Sequence, residues 1–366
     1  MAARGKDPQS AENHSIHFRS DGLALSPAEY ARLLARLAEN GRIVADEFSR
    51  DGIVTQLEER IATMLGKEAA VFLPSGTLAN HLALRLLARS GRRVLVQRES
   101  HIYNDAGDCV QELSGLVLIP LAPERATFDL AEAAAEVARA GEGRVPTPVG
   151  AISIESPVRR VVGEVFDFTE MQRIAAFARD HGIGLHLDGA RLFLAHPYTG
   201  IAPRTYAALF DTVYISLYKY FNAASGAVLA GSRRLLDNLY HQRRRFGGGL
   251  RQAWPYAAVA LHYLDGFSER FGHAAAAADN LFAALREHGR CEIVRSPAAT
   301  NVTRLRVRGG DAARLPERLL EHGVAIRPAL HTAAGAAEFE LFTNETILRR
   351  PAAETIGAFV KALVSE

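Results

Sequence analysis

The 366-residue chain has little cysteine: Cys109 and Cys291 are its only two. They lie far apart and form no Cys-x-x-Cys or Cys/His spacing, so the sequence supports neither a disulfide framework nor a structural zinc site. That usage fits a reducing, cytoplasmic setting. Long apolar runs are also missing. None approaches the ~18 residues of a membrane span, and no membrane role is expected. Nor is there a large charge of one sign: a net charge of +2 at pH 7 is too small to imply a polyanion, so no nucleic-acid partner is expected. The one basic run, "HQRRRFGGGLRQ" from His241 to Gln252, reads by itself as a solvated helix face. The opening "MAARGKDPQSAENHSIH" has no apolar core of the kind a secretory signal needs; residues 1–17 read as a mobile tail, with His14 and His17 in water. Internal repeats are absent, and "HAAAAADN" is simply helix-forming composition.

What is present is an ordinary globular composition, 48% hydrophobic and 23% charged, in a chain long enough for two domains or one large domain with a smaller lobe. Short β-branched runs alternate with longer amphipathic ones, the pattern of a mainly parallel sheet covered by helices. Strands are predicted at Arg93 to Gln97, Leu116 to Ile119, Gly150 to Ile154, Gly184 to Leu187, Thr212 to Ser216 and Ala227 to Ala230. Helices are predicted at Ile53 to Leu65, Leu78 to Arg89, Leu130 to Ala140, Thr169 to His181 and Arg233 to Arg245. After about Pro255 the texture changes to a long Ala-rich helical stretch. A smaller α+β lobe follows, closed by a helix near Ala352 to Val364. The expected division is a tail at 1–17, a large domain at 18–250, and a linking helix with a small C-terminal domain at 251–366.

Four local features carry chemistry, and each has an ordinary alternative. Lys219, in "SLYKYFNAASGAVLAG", follows the apolar run "DTVYIS" and so arrives at the carboxyl edge of the sheet, where α/β folds bind ligands. A poorly solvated amine there can condense with a carbonyl, whereas a strand-end lysine by itself usually reaches for water. Asp188, in "GLHLDGARLF", ends another apolar run; it can face a protonated ring nitrogen, or Asp-Gly can be a plain turn. Ser75, Gly76 and Thr77, in "FLPSGTLAN", open a helix whose free N–H groups suit a phosphate; Ser and Thr also serve as simple N-caps. His101, in "ESHIYNDAGD", can stack on a planar ring or move protons, although a lone loop histidine usually does neither.

In this order and wording the four features resemble the threonine aldolase / β-eliminating lyase family of fold-type I pyridoxal-phosphate enzymes. "GKEAAVFLPSGTLAN", "HGIGLHLDGARLF", the Lys219 strand with "SGAVLAG", "FGGGLRQ", "FRSD" and "TNV" carry the likeness, which spans nearly the whole chain from about residue 18. It implies an aspartate aminotransferase-like fold with a seven-stranded sheet. Pyridoxal 5'-phosphate is the implied cofactor and an amino acid the implied substrate. The resemblance makes Lys219 the Schiff-base lysine, Asp188 the partner of the pyridine nitrogen and His101 the stacking group. Ser75, Gly76 and Thr77 would take the phosphate, and Glu155 and Arg191 join the cofactor-binding set. Arg251 of "GGGLRQ" would reach the phosphate of a neighbouring subunit, implying a homodimer or homotetramer with shared sites. Ser20, Arg191 and Arg327 would hold the substrate carboxylate. The implied reaction is retro-aldol cleavage of a β-hydroxy amino acid to glycine and an aldehyde, with Lys219, His101 and Asp188 as the catalytic set.

The chain departs from the family at four places. Glu155-Ser156-Pro157-Val158 stands where the family reads Glu-Asn-Thr-His, so Val158 replaces the histidine that meets the β-hydroxyl. Glu340 stands near the arginine that clamps the carboxylate, and a glutamate there repels the same group. Phe48-Ser49 replaces Tyr-Gly, and Tyr218-Lys219-Tyr220 replaces Ser-Lys-Gly. These departures keep two alternatives open: β-elimination, transamination or racemisation of another amino acid on the same fold, and a non-catalytic protein that binds the cofactor or a partner.

Overall fold

In the computed structural model, which describes residues 15–364 apart from 42, 90, 143 and 334, seven short apolar runs of the unit Leu25–Asp265 form one sheet. They are β1 (Ala69–Leu73), β2 (Arg93–Gln97), β3 (Val117–Leu121), β4 (Val149–Glu155), β5 (Gly184–Asp188), β6 (Thr212–Ser216) and β7 (Ala227–Gly231). Their spatial order is β1-β7-β6-β5-β4-β2-β3. Strands β3, β2, β4, β5 and β6 run parallel, while β7 is antiparallel to both of its neighbours, β6 and β1. Every residue of β6 and β7 is buried. A sheet covered on both faces has no polar side to display, which is why these strands read as unbroken apolar runs. The helix Gly76–Ala88 lies over β4, β5, β6 and β7. Ser75 caps it, its hydroxyl accepting from the Leu78 N–H at 3.3 Å.

Strands β2 and β6 and the helix Ala352–Val364 fall where the pattern predicts them. Several elements went unpredicted, two of them with a readable signal. The helix Pro27–Glu39 has a full start signal, with Ser26 as N-cap, Glu29 closing a capping box and Pro27 in the first turn. Strand β1 is the apolar run inside "KEAAVFLPSG". The helix predicted at Arg233 to Arg245 is two, Arg233–Leu236 and Leu239–Arg245, parted at Asp237 and Asn238, whose short polar side chains favour helix ends over interiors.

The basic run is not a solvated face throughout. Arg243 is only 1% exposed. Its Nη1 donates to the Phe72 carbonyl at 2.5 Å, and its Nη2 donates to the carbonyls of Phe48 at 3.0 Å and Ser49 at 3.2 Å. The reason lies in topology: β1 is an edge strand, and edge N–H and C=O groups need partners. The Phe72 N–H goes to Glu58 Oε1 at 2.6 Å and its carbonyl to Arg243. Burial raises the Glu58 carboxyl to about 7, against the opposing pull of the Phe72 N–H, Arg243 and Arg50. Burial likewise lowers the Arg243 pKa.

The smaller unit joins the described residues up to Ala24 to those from Gly266 onward. It holds a four-stranded antiparallel sheet in the order His331–Ala333, Ala336–Phe342, Val302–Arg308, Cys291–Val294. The helices Phe267–Glu287 and Ala352–Val364 pack on each other. The division therefore falls at Asp265, later than residue 250, and residues 18–24 side with the smaller unit. The Ala-rich stretch is two helices: Trp254–Leu264 packs on the helix Gly52–Leu65 of the larger unit, and Gly266, with φ +69°, turns the chain before the second begins. Residues 16 and 17 are not a tail. Ile16–His17 pairs in parallel with Val324–Ala325, and the N–H of His17 donates to Thr346 Oγ1 at 3.1 Å. That pairing buries the His17 imidazole and lowers its pKa. Residues 1–14, including His14, lie outside the described residues.

Replacing Arg243 by Ala leaves three carbonyls and the Glu58 carboxylate without their cation. We expect a loss of about 3 kcal/mol of stability, partly restored by Glu58→Gln, measured by denaturant unfolding.

Candidate active site

The parallel strands end on one edge, and the residues following them meet around a cavity of ≈ 290 Å³. Asp188, Ala190 and Arg191 enter it from the turn after β5, and Glu155, Arg159 and Arg160 from the segment after β4. His101 and Asp105 come from the segment after β2; Tyr214, Tyr218 and Lys219 come from β6 and its continuation.

Asp188 is 3% exposed and each of its carboxylate oxygens accepts one hydrogen bond. Oδ1 accepts from the Ala190 N–H at 3.1 Å and Oδ2 from Asn80 Nδ2 at 2.6 Å. Behind Asn80 stands His186, whose Nε2 is 2.8 Å from Asn80 Oδ1 and whose Nδ1 is 2.8 Å from Thr212 Oγ1. Burial lowers the His186 pKa to about 4, although Asp188 pulls the other way, so the ring is neutral and carries one proton. One assignment satisfies every member: Thr212 donates to Nδ1, Nε2–H donates to Asn80, and Asn80 donates to Asp188. This chain of donors ends on Asp188 and fixes the orientation of its carboxylate.

Glu155 lies beside Asp188 in register on the neighbouring strand. Burial, then the nearby Asp188 charge, raises its carboxyl to about 7. Its Oε2 accepts from the His101 N–H at 2.6 Å and its Oε1 from the Arg159 N–H at 3.1 Å, tying together the segments that follow β2 and β4. The His101 ring is half exposed, with Nδ1 3.5 Å from Asp105. Asp105 is itself bound by Arg160 at 2.6 and 3.1 Å. The Arg160 hydrogen bond holds the Asp105 carboxyl below its ordinary value, overcoming a smaller opposing effect of burial.

On the β6 side, Lys219 Nζ donates to Tyr218 Oη at 3.0 Å and to Ser216 Oγ at 3.4 Å. Tyr214 reaches from the cavity to the start of the helix Gly76–Ala88: a Cβ on Gly76 would stand 2.0 Å from its hydroxyl, so only glycine fits.

The structure thus brings Lys219, Asp188, His101, Glu155 and Arg191 around one cavity. Ser75, Gly76 and Thr77 do not line it and touch it only through Tyr214. Arg251 is exposed and paired with Glu47. Ser20 and Arg327 belong to the other unit, where Arg327 Nε donates to the Arg19 carbonyl at 2.7 Å and a second guanidinium nitrogen lies 3.7 Å from Glu340. Val158 is fully buried, bridged to Glu164 and outside the cavity lining. The sequence reading missed Asn80, His186, Tyr214, Arg159, Arg160 and Asp105. Asn80 and His186 stand inside the phrases "FLPSGTLAN" and "GLHLD", where a polar residue within a buried pattern was the available signal.

The model of the β-eliminating lyase family matches residues 18–308. The chain belongs to that family. A low-specificity L-threonine aldolase of Candida albicans is 30% identical over 221 residues, 60% of this chain and 58% of that protein. An alanine racemase of Cochliobolus carbonum is 31% identical over 229 residues, 62% of this chain and 57% of that protein. A crystal structure from Listeria monocytogenes EGD-E, assigned as an L-allo-threonine aldolase, is 25% identical with a TM-score of 0.80, covering 97% of this chain and 98% of that one. The fold is fold type I. The chain spans 64%, 58% and 55% of the length of the first curated relatives it matches.

The Glu155 carboxyl makes a pH-dependent contribution whose sign follows from its raised pKa. Between the ordinary 4.5 and about 7 the unfolded chain gives up this proton while the folded chain keeps it. The group's contribution is therefore present below the lower value and lost as pH rises through the upper one. The melting temperature of Glu155→Gln should gain on that of the unaltered cofactor-free protein as pH rises from ~4.5 to ~7.5, read by thermal unfolding across that range.

Proposed function

We propose that this cavity binds pyridoxal 5'-phosphate and cleaves a β-hydroxy amino acid to glycine and an aldehyde. The observation that carries the reading is that Lys219 and the buried Asp188 line one cavity at the carboxyl ends of parallel strands. An amine and a structurally held anion are the two groups this cofactor requires, so the residues present fit it. When bound, the cofactor supplies an electron sink for the bond broken at Cα.

The chain's own residues supply the rest. Lys219 would hold the cofactor through its side-chain amine. Asp188, oriented by the Asn80 amide, would face the cofactor's ring nitrogen and hold a proton there. His101 forms the wall against the ring, and its tie to Asp105 and Arg160 limits its freedom to turn. Ser75, Gly76 and Thr77 offer N–H and hydroxyl groups to the phosphate at the start of a helix of 13 residues. Arg191, in the cavity, is the first candidate for the substrate carboxylate; the family likeness also assigns Ser20 and Arg327 to the substrate. Arg251, on an exposed segment, fits a role at a neighbouring subunit's phosphate in a homodimer or homotetramer. A cytoplasmic location belongs to the same reading. Among the described residues no helix is long and apolar enough to cross a membrane.

A second reading keeps the cofactor and changes the bond broken. Val158 in place of the hydroxyl-binding histidine favours it, and so does the likeness to a protein named as an alanine racemase. Incubation with a panel of β-hydroxy amino acids decides between them: glycine and an aldehyde support the first, whereas a keto acid or an inverted amino acid supports the second. Lys219→Ala should abolish the covalent, reducible link to the cofactor. Asp188→Asn should retain the cofactor while turnover falls by about 10²-fold or more; unchanged turnover would contradict its role at the ring nitrogen.

A further inference from the structure

The cavity contains one basic oxygen beside Lys219 that neither the reading above nor the family likeness employs. Tyr218, 44% exposed, places its phenolic oxygen 3.0 Å from Lys219 Nζ, and the Lys219 ammonium lies 4.3 Å from the centre of its ring. Tyr214 lines the same cavity. A cationic donor that points at an oxygen stabilises its anion. His101, the other base in the cavity, has its ring engaged with Asp105.

We propose that Tyr218 is a further catalytic residue, the general base for the substrate's β-hydroxyl. This rests on the aldolase reading. The geometry is simple. In a β-hydroxy amino acid the hydroxyl oxygen is three bonds from the amino nitrogen, roughly 3 Å through space when the two groups are gauche. A substrate whose amine takes the place of the Lys219 amine therefore brings its hydroxyl within reach of an oxygen that stands 3.0 Å from that amine. The phenolate accepts the hydroxyl proton: the substrate O–H bond breaks and the phenolic O–H bond forms. The pair left on the substrate oxygen becomes the carbonyl π bond of the departing aldehyde. The pair of the broken Cα–Cβ bond stays with the glycine half, which takes a proton at Cα.

Burial opposes ionisation of Tyr218, but the charge and hydrogen bond of Lys219, with Tyr214 and Arg191, outweigh it, and its pKa lies below the ordinary 10.0. The other charged or titratable groups of the cavity are Asp188 after β5, His101 and Asp105 after β2, and Glu155, Arg159 and Arg160 after β4. Tyr214 is driven well above its ordinary value by burial and by Asp188, so it remains a donor.

The test compares the unaltered protein with Tyr218→Phe in three measurements, with bound cofactor in both proteins confirming an intact site. The kcat for cleavage of a β-hydroxy amino acid should fall by about 10²-fold or more. Exchange of the glycine α-proton with deuterated water, which needs no hydroxyl base, should stay within a few-fold. In the cofactor-free chain, ultraviolet titration should show one tyrosine ionising below the rest in the unaltered protein and not in Tyr218→Phe. Unchanged cleavage overturns the inference, as does an equal fall in cleavage and exchange, which would place Tyr218 at Lys219 alone. If the unaltered protein exchanges the glycine proton but releases no aldehyde from any β-hydroxy amino acid, the aldolase reading itself fails and this inference with it.

Discussion

Glu155 and Asp188 end neighbouring strands in register, both out of water, and two adjacent buried carboxylates repel each other unless something else holds them. The surrounding structure is arranged to do that. Asp188 takes the Ala190 N–H and the Asn80 amide, which fixes the turn after β5 and ties it to the helix Gly76–Ala88. Glu155 takes the N–H groups of His101 and Arg159, which fixes the segments after β2 and β4. Three walls of the cavity are therefore set by where two carboxylates find donors. Burial, then the nearby Asp188, raises the Glu155 carboxyl to about 7.

The β6 side is built from polar groups of another kind. Tyr214, Ser216, Tyr218 and Lys219 follow one another closely and share hydrogen bonds, so the amine is directed by hydroxyls rather than by carboxylates. Tyr214 also links this side to the start of the helix Gly76–Ala88, because its hydroxyl occupies the space a side chain at residue 76 would need. At the far edge of the sheet a second buried charge pair does a structural task. Glu58 and Arg243 satisfy the outward N–H and C=O of Phe72 on the edge strand β1. Strand β1 leads directly into Ser75 and Gly76, so this pair also positions the helix start.

Much of this was legible in the chain. The five parallel strands are short apolar runs bounded by helices, and burial on both faces makes such runs conspicuous. Lys219, Asp188 and His101 were found because each ends or follows such a run, and the carboxyl edge is where those ends collect. What escaped notice were side chains whose partners are remote in sequence. Asn80 and His186 are 106 residues apart and 2.8 Å from each other. Arg243 sits in a run of basic residues that locally looks solvated, yet it answers a carbonyl 171 residues away. His17 looks like part of a tail until Val324 and Ala325 pair with its strand.

By itself the sequence determined the alternation of elements, the order of the chemical groups along the chain and the family to which it belongs, because periodicity and motif spacing are local properties. Only the tertiary structure decided which groups share a cavity and in what state. Burial and the field of neighbouring charges set protonation, and both depend on distances across strands that the linear order does not encode. So Lys219 could be picked out from its neighbours in sequence. That Tyr218 takes a hydrogen bond from Lys219 inside the cavity that Asp188 and Glu155 also line required the fold.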